Sequence, residues 1–155
     1  MQISGPLLEI VPENTVQPEP EQPNFSVLYI DVGQGDAALV SCEEQYMLID
    51  GGGKKASQKM YSILKSRDIR HLNVVVGTHP EEDHIGGIPG AFSFADADVI
   101  LSPVTEYSTD AFRNFYRYAT QKGGGITIPI YPSQHNIRRH RRSCLRLHRK
   151  MRAYK

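Results

Sequence analysis

Thr78-His79-Pro80-Glu81-Glu82-Asp83-His84-Ile85-Gly86-Gly87 places two imidazoles and three carboxylates within six consecutive residues. The preceding run, Leu72-Asn73-Val74-Val75-Val76-Gly77, is short, apolar and β-branched, as a buried strand would be. The cluster therefore sits on a loop at the end of a strand. Such a density of donors is what a divalent metal needs, since Zn²⁺ takes nitrogen and oxygen ligands and Mn²⁺ accepts more carboxylate. The alternative is a solvated acidic loop whose histidines cap or pair. The two glycines that follow weigh toward a site, because they let the backbone fold tightly around one.

On the N-terminal side, residues 25–32 form a β-rich run. Residues 37–42 and 46–50 flank the polar turn Glu43-Glu44-Gln45, so the three segments read as sequential antiparallel strands. Ala56, Met60, Ile63 and Leu64 recur at helical spacing and predict a helix over 56–65 with one apolar stripe. On the C-terminal side, residues 99–101 form a short strand. A second helix follows over 109–121, with Phe112, Phe115, Tyr116 and Ala119 as its expected inner face. Ser108 or Thr109 caps it, Asp110 suits its positive end, Gly123-Gly124-Gly125 stops it, and residues 126–130 make a last short strand. Helices alternating with strands after an opening hairpin give an α/β or layered α+β class.

Two further segments carry carboxylates beside glycines. Asp31-Val32-Gly33-Gln34-Gly35-Asp36-Ala37 reads either as a plain hairpin turn or as a place where backbone and ligand approach closely. Leu48-Ile49-Asp50-Gly51-Gly52-Gly53 ends a strand with a carboxylate facing a glycine run. That run also has the look of a phosphate cradle, although the Lys-Ser/Thr pair of a Walker loop is missing.

Composition divides the chain of 155 residues into three parts. Residues 1–24 hold five prolines and four glutamates with no base, and read as a linker. Residues 25–130 carry the periodic order. All 17 acidic residues lie at or before Asp110, whereas residues 111–155 hold 12 bases and no acid. Nine of those bases fall within 138–155, so 131–155 reads as a basic, unstructured tail. No apolar run approaches the ~20 residues that cross a bilayer, and no signal-peptide pattern opens the chain. The expectation is a soluble chain without a membrane segment.

Taken together, Asp31 to Ala37, the Ile49-Asp50-Gly51-Gly52 strand end and the loop at 78–87 resemble the metallo-β-lactamase superfamily. More narrowly, they resemble the metallo-hydrolase domain of ComEC-type competence proteins, which take up DNA. The resemblance covers residues 25–130 and implies an αββα sandwich. It implies His79 as ligand of a first metal, Asp83 and His84 as ligands of a second, and Glu81 where most of the superfamily has histidine, a change that favours a harder ion such as Mn²⁺ over Zn²⁺. Asp83 and Asp50 would be the catalytic carboxylates, Asp50 by orienting a ligand, with Asp31, Gln34 and Asp36 on the rim. The implied cofactor is a divalent metal, two ions in a complete domain, and the implied reaction is hydrolysis of DNA phosphodiesters. The family domain is displayed outside the membrane.

The second half of that pattern, with its bridging aspartate and later histidines, does not follow in residues 111–155. The expectation is therefore a domain truncated to its first half: either an incomplete enzyme, or a fragment that works beside a complementing chain. In the tail, Arg138, Arg139, Arg141 and Arg142 suit nucleic-acid phosphates. The competing reading of the same tail is a frameshifted continuation. The functional alternative to the hydrolase is thus an inactive fragment or a basic-tailed DNA-binding module.

Overall fold

The computed structural model describes residues 25–129. The expected linker over 1–24 and the basic tail over 131–155, with Arg138, Arg139, Arg141 and Arg142, lie outside the described residues. The elements are β1 (Phe25–Tyr29), β2 (Ala38–Cys42), β3 (Gln45–Ile49), a 3-10 turn (Lys54–Ala56), α1 (Ser57–Ser66), β4 (His71–Val76), α2 (Glu82–Ile85), α3 (Ile88–Phe92), β5 (Asp96–Leu101) and α4 (Asp110–Gly123).

The strands form one sheet in sequence order. The β1–β2 and β2–β3 pairs are antiparallel, and β4 and β5 continue in parallel with β3. Tight turning between β2 and β3 puts Glu43 and Glu44 at φ of 49° and 63°, the handedness a two-residue hairpin needs to match strand twist. Only β2 runs against the others, so β1, β3, β4 and β5 all end at one edge of the sheet. That edge receives all three motif segments.

One sheet face is covered by helices. Leu39, Leu48, Val75 and Ile100 pack there against Met60 and Leu64 of α1, Ile88 and Phe92 of α3, and Phe112, Phe115 and Ala119 of α4. Each large side chain removed from water in this way stabilises the fold by roughly 1.5–3 kcal/mol before entropic costs. This is the layered α/β class expected. On the opposite face, Phe25, Val27 and Tyr29 stand in register with Cys42, Val40 and Ala38, and are 54%, 38% and 82% exposed.

The helix over 110–123 is capped as its composition requires. The Thr109 hydroxyl accepts from Phe112 N at 3.2 Å, and Gly124 closes the helix at φ 73°. Two features differ from expectation. Tyr116 is not on the inner face but 46% exposed, because Phe112, Phe115 and Ala119 already fill the buried stripe and residue 116 is turned about 100° from residue 115. Over residues 126–129, the expected last strand is reduced to one parallel bridge between Leu101 and Thr127, with the Thr127 N–H donating to Ile100 O at 2.7 Å. Also unforeseen were α2 and α3, which are too short for a periodic signal.

Candidate metal centre

At the end of β3, Asp50 is 2% exposed and holds φ at 55°. Left-handed backbone is uncommon outside glycine, and aspartate is among the residues that tolerate it. The carboxylate is fully engaged. Thr78 N donates to Oδ1 at 2.8 Å, the Thr78 hydroxyl donates to Oδ2 at 2.5 Å, and His84 Nδ1 lies 3.0 Å from Oδ2. Because β3 and β4 are parallel neighbours, the residue after one strand can reach the second residue after the other. The Asp50 N–H to Val76 O bond of 2.8 Å sets that register.

A carboxylate only accepts, so His84 Nδ1 carries the hydrogen and the neutral ring keeps its lone pair on Nε2. A buried carboxylate behind one imidazole nitrogen is the arrangement that orients a metal-binding histidine. The His79 ring lies beside it, centroids 4.9 Å apart. The Asp50 hydrogen bond is the largest influence on His84 and raises its pKa above the ordinary imidazole value; burial pulls the other way, and the charges of Asp50, Asp83 and Asp36 add to the rise.

The three motif segments are clamped together backbone to backbone. Gly51 N donates to His84 O at 2.8 Å, Gly52 N to Asp36 O at 2.9 Å and Gly87 N to Gly52 O at 2.8 Å. Side chains cannot fit in this seam. A Cβ on Gly87 would stand 2.0 Å from Gly51 O, and one on Gly35, at φ 94°, would stand 1.9 Å from Asp83 O.

Asp83 lies close enough to His84 for its charge to raise the pKa of the imidazole. It lines a cavity of about 380 Å³ with Val32, Gly33, Gln34, Gly53, Lys55, Ala56 and Glu82. Of the expected rim residues, Gln34 reaches this cavity. Asp31 instead holds its own turn through Gly33 N at 3.1 Å and pairs with Lys59. Asp36 acts on His84 only through its charge, and its carbonyl is tied to Gly52. Glu81 is exposed at the start of α2, where its carbonyl accepts from His84 N and Ile85 N.

The expected single sphere of His79, Glu81, Asp83 and His84 is not present in this arrangement. Among the described residues no three His, Cys, Asp or Glu side chains come together to hold a metal ion. The donor chemistry of the His79–His84 pair, with Nε2 of His84 left available, fits a divalent ion as part of a ligand set, and the described residues do not complete that set.

Two contacts escaped the sequence reading. Thr78 supplies both a backbone and a hydroxyl donor to Asp50 across 28 residues. Glu82 Oε1 accepts from Lys54 N at 2.7 Å, also across 28 residues. That carboxylate takes up the Lys54 N–H, a donor that a phosphate cradle at the glycine run would use. Neither contact leaves a local signal.

The family model of the metallo-β-lactamase superfamily matches residues 30–141, well over half of the chain. The chain belongs to the metallo-β-lactamase superfamily. Its fold is that of a superfamily of hydrolases. SMB-1 metallo-β-lactamase bound to 2-mercaptoethanesulfonate is 26% identical over 50% of this chain and 30% of its own, at a TM-score of 0.42. MEM-A1, a subclass B3 metallo-β-lactamase isolated from a soil metagenome library, is 22% identical over 54% of this chain and 32% of its own, at 0.45. A diphosphatase of the PhnP family is 15% identical over 70% of this chain and 40% of its own, at 0.39. The chain spans less than a third of the length of the first two. No curated protein matches it. Among the described residues, no helix is long and apolar enough to cross a membrane.

Proposed function

We propose that this chain contributes the first-half site of a divalent-metal hydrolase acting on DNA phosphodiester bonds, of the ComEC type displayed outside the membrane. The observation that carries this reading is the buried Asp50 carboxylate fixing His84 with Nε2 available, beside His79. His79, Asp83 and His84 are the proposed ligands, with Glu81 the carboxylate that shifts preference from zinc toward manganese. A bound metal of this kind supplies an activated water and neutralises charge on a phosphodiester. The chain's own residues do the positioning. Asp50 holds the His84 ring and its tautomer, Thr78 holds Asp50, and the glycine seam holds Asp83 over the cavity that Gln34 and Lys55 share.

The remaining ligands are proposed to come from further chain, in cis or from a complementing partner. Support comes from the uncharged row Phe25, Val27 and Tyr29, which stays exposed on the sheet face away from the helices. A second reading, a DNA-binding module without turnover, is favoured by the incomplete ligand set among the described residues.

Incubating the purified chain with single-stranded and duplex DNA in Mn²⁺ or Zn²⁺, beside an Asp83→Ala, His84→Ala double variant, separates the two. Cleavage that the double variant abolishes establishes the hydrolase. Salt-sensitive retention of DNA without cleavage establishes the module.

A further inference from the structure

β4 and β5 are parallel neighbours, so the 78–87 loop and residues 102–109 leave the sheet side by side, tied by Gly77 N to Leu101 O at 2.8 Å. Residues 102–109 lead into α4 and border with it an open cavity of about 420 Å³, lined by Thr105, Glu106, Tyr107, Phe112, Arg113 and Tyr116. Its volume lies in the range of small-ligand sites, ~300–1,000 Å³. The aromatic wall is built from the core outward. Phe115 and Phe112 are buried with ring centroids 6.0 Å apart, and Tyr107 continues the series edge-on to Phe112 at 6.2 Å. Tyr107 and Tyr116 stay 39% and 46% exposed. Both rings therefore offer a face to a ligand entering the cavity.

Charge on the same helix points to the class of ligand. Arg113, Tyr116 and Arg117 follow at i, i+3 and i+4, which makes them one face, and α4 contains no carboxylate after Asp110. Arg113 bonds to Ser108 O and pairs with Asp110 in an exposed contact that a phosphate can replace. Arg117 bonds only to the neutral Asn114 amide and stacks over Tyr118, and it has no carboxylate partner among the described residues.

We propose that this cavity is a stacking subsite for one unpaired base of a single-stranded nucleic acid, its ring against Tyr107 and Tyr116 and its flanking phosphates on Arg113 and Arg117. This rests on the DNA reading above and adds to it a preference for single strands, because a paired base must leave its stack before it can enter.

The test uses the full chain in EDTA, so binding is read without any metal, with a short fluorescein-labelled oligothymidine followed by anisotropy over a salt series. Tyr107→Ala and Tyr116→Ala each weaken binding by roughly 5- to 100-fold without changing the salt slope, and the Tyr→Phe variants restore it. Arg117→Ala lowers the slope by about 0.7. Both tyrosines are solvent-exposed, so unchanged circular dichroism and melting are expected in the variants. Wild-type affinity in both alanine variants, with loss only on replacing Arg138, Arg139, Arg141 and Arg142, overturns the subsite and leaves the DNA reading standing. Equal weakening for single-stranded and duplex probes also overturns it. No binding of any strand by the wild-type chain overturns both.

Discussion

Replacing Asp50 tests the centre of the site at two levels. In Asp50→Ala, three hydrogen bonds to a buried carboxylate disappear: those from Thr78 N, the Thr78 hydroxyl and His84 Nδ1. Bonds to a charged group are worth about 1.5–3 kcal/mol each, although the exposed Thr78 hydroxyl and half-buried His84 recover part of theirs from water. Alanine is also poorer than aspartate at the φ of 55° found here, by about 1 kcal/mol. The expected loss is about 4 kcal/mol, a large share of the ~5–15 kcal/mol that holds a domain together. Asp50→Asn is the sharper variant. It keeps an acceptor for Thr78 N and tolerates the backbone, yet its amide nitrogen turns toward His84, which then accepts at Nδ1 and carries its hydrogen on Nε2. The fold survives with a loss of about 1–2 kcal/mol, whereas affinity for Zn²⁺ or Mn²⁺ falls about 10- to 100-fold. Urea unfolding in EDTA measures the first quantity, calorimetric metal titration the second, and long-range ¹H–¹⁵N spectra of the imidazoles show the tautomer directly. If Asp50→Asn leaves the Nδ1–H tautomer and metal affinity unchanged, Asp50 does not position His84 and the reasoning fails.

Three further outcomes are expected. His84 is raised above its unfolded value near 6.5, so its pairing with Asp50 stabilises the metal-free chain fully below about pH 6.5, and that contribution is lost as pH rises through the folded pKa; wild-type and Asp50→Asn urea midpoints therefore draw closer above that window, and parallel curves would count against the pair. Gly87→Ala forces a Cβ to within 2.0 Å of Gly51 O, where only backbone can yield; a loss above about 3 kcal/mol is expected, and a variant as stable as wild type in chemical denaturation would show that the seam is looser than described. Thr109→Ala removes the cap on Phe112 N and costs about 1 kcal/mol, read as a lowered thermal midpoint and retained helical dichroism.

What the chain encodes locally was legible in its letters. The spacing of Met60 and Leu64, and of Phe112, Phe115 and Ala119, is set by the 3.6-residue turn, so both long helices and their buried stripes follow from it. Thr109 before Asp110 and Gly124 behind the helix are caps that act within four residues. The alternating runs before Asp50 gave the hairpin, and the density of His, Asp and Gly at 78–87 marked the site loop. Contacts spanning tens of residues were not legible. The Asp50 to Thr78 and His84 bonds cross 28 and 34 residues and exist because parallel β3 and β4 end at one edge of the sheet. The sequence placed His79, Glu81, Asp83 and His84 in one cluster, but only the tertiary structure set Gln34 and Lys55 beside Asp83 around one cavity. Likewise Tyr116 reads as one more apolar residue of its helix until the stripe beneath it is full, and packing then turns it outward beside Tyr107. Local spacing specifies which residues share an element, whereas the direction in which each side chain leaves that element is set by what the rest of the fold has already filled.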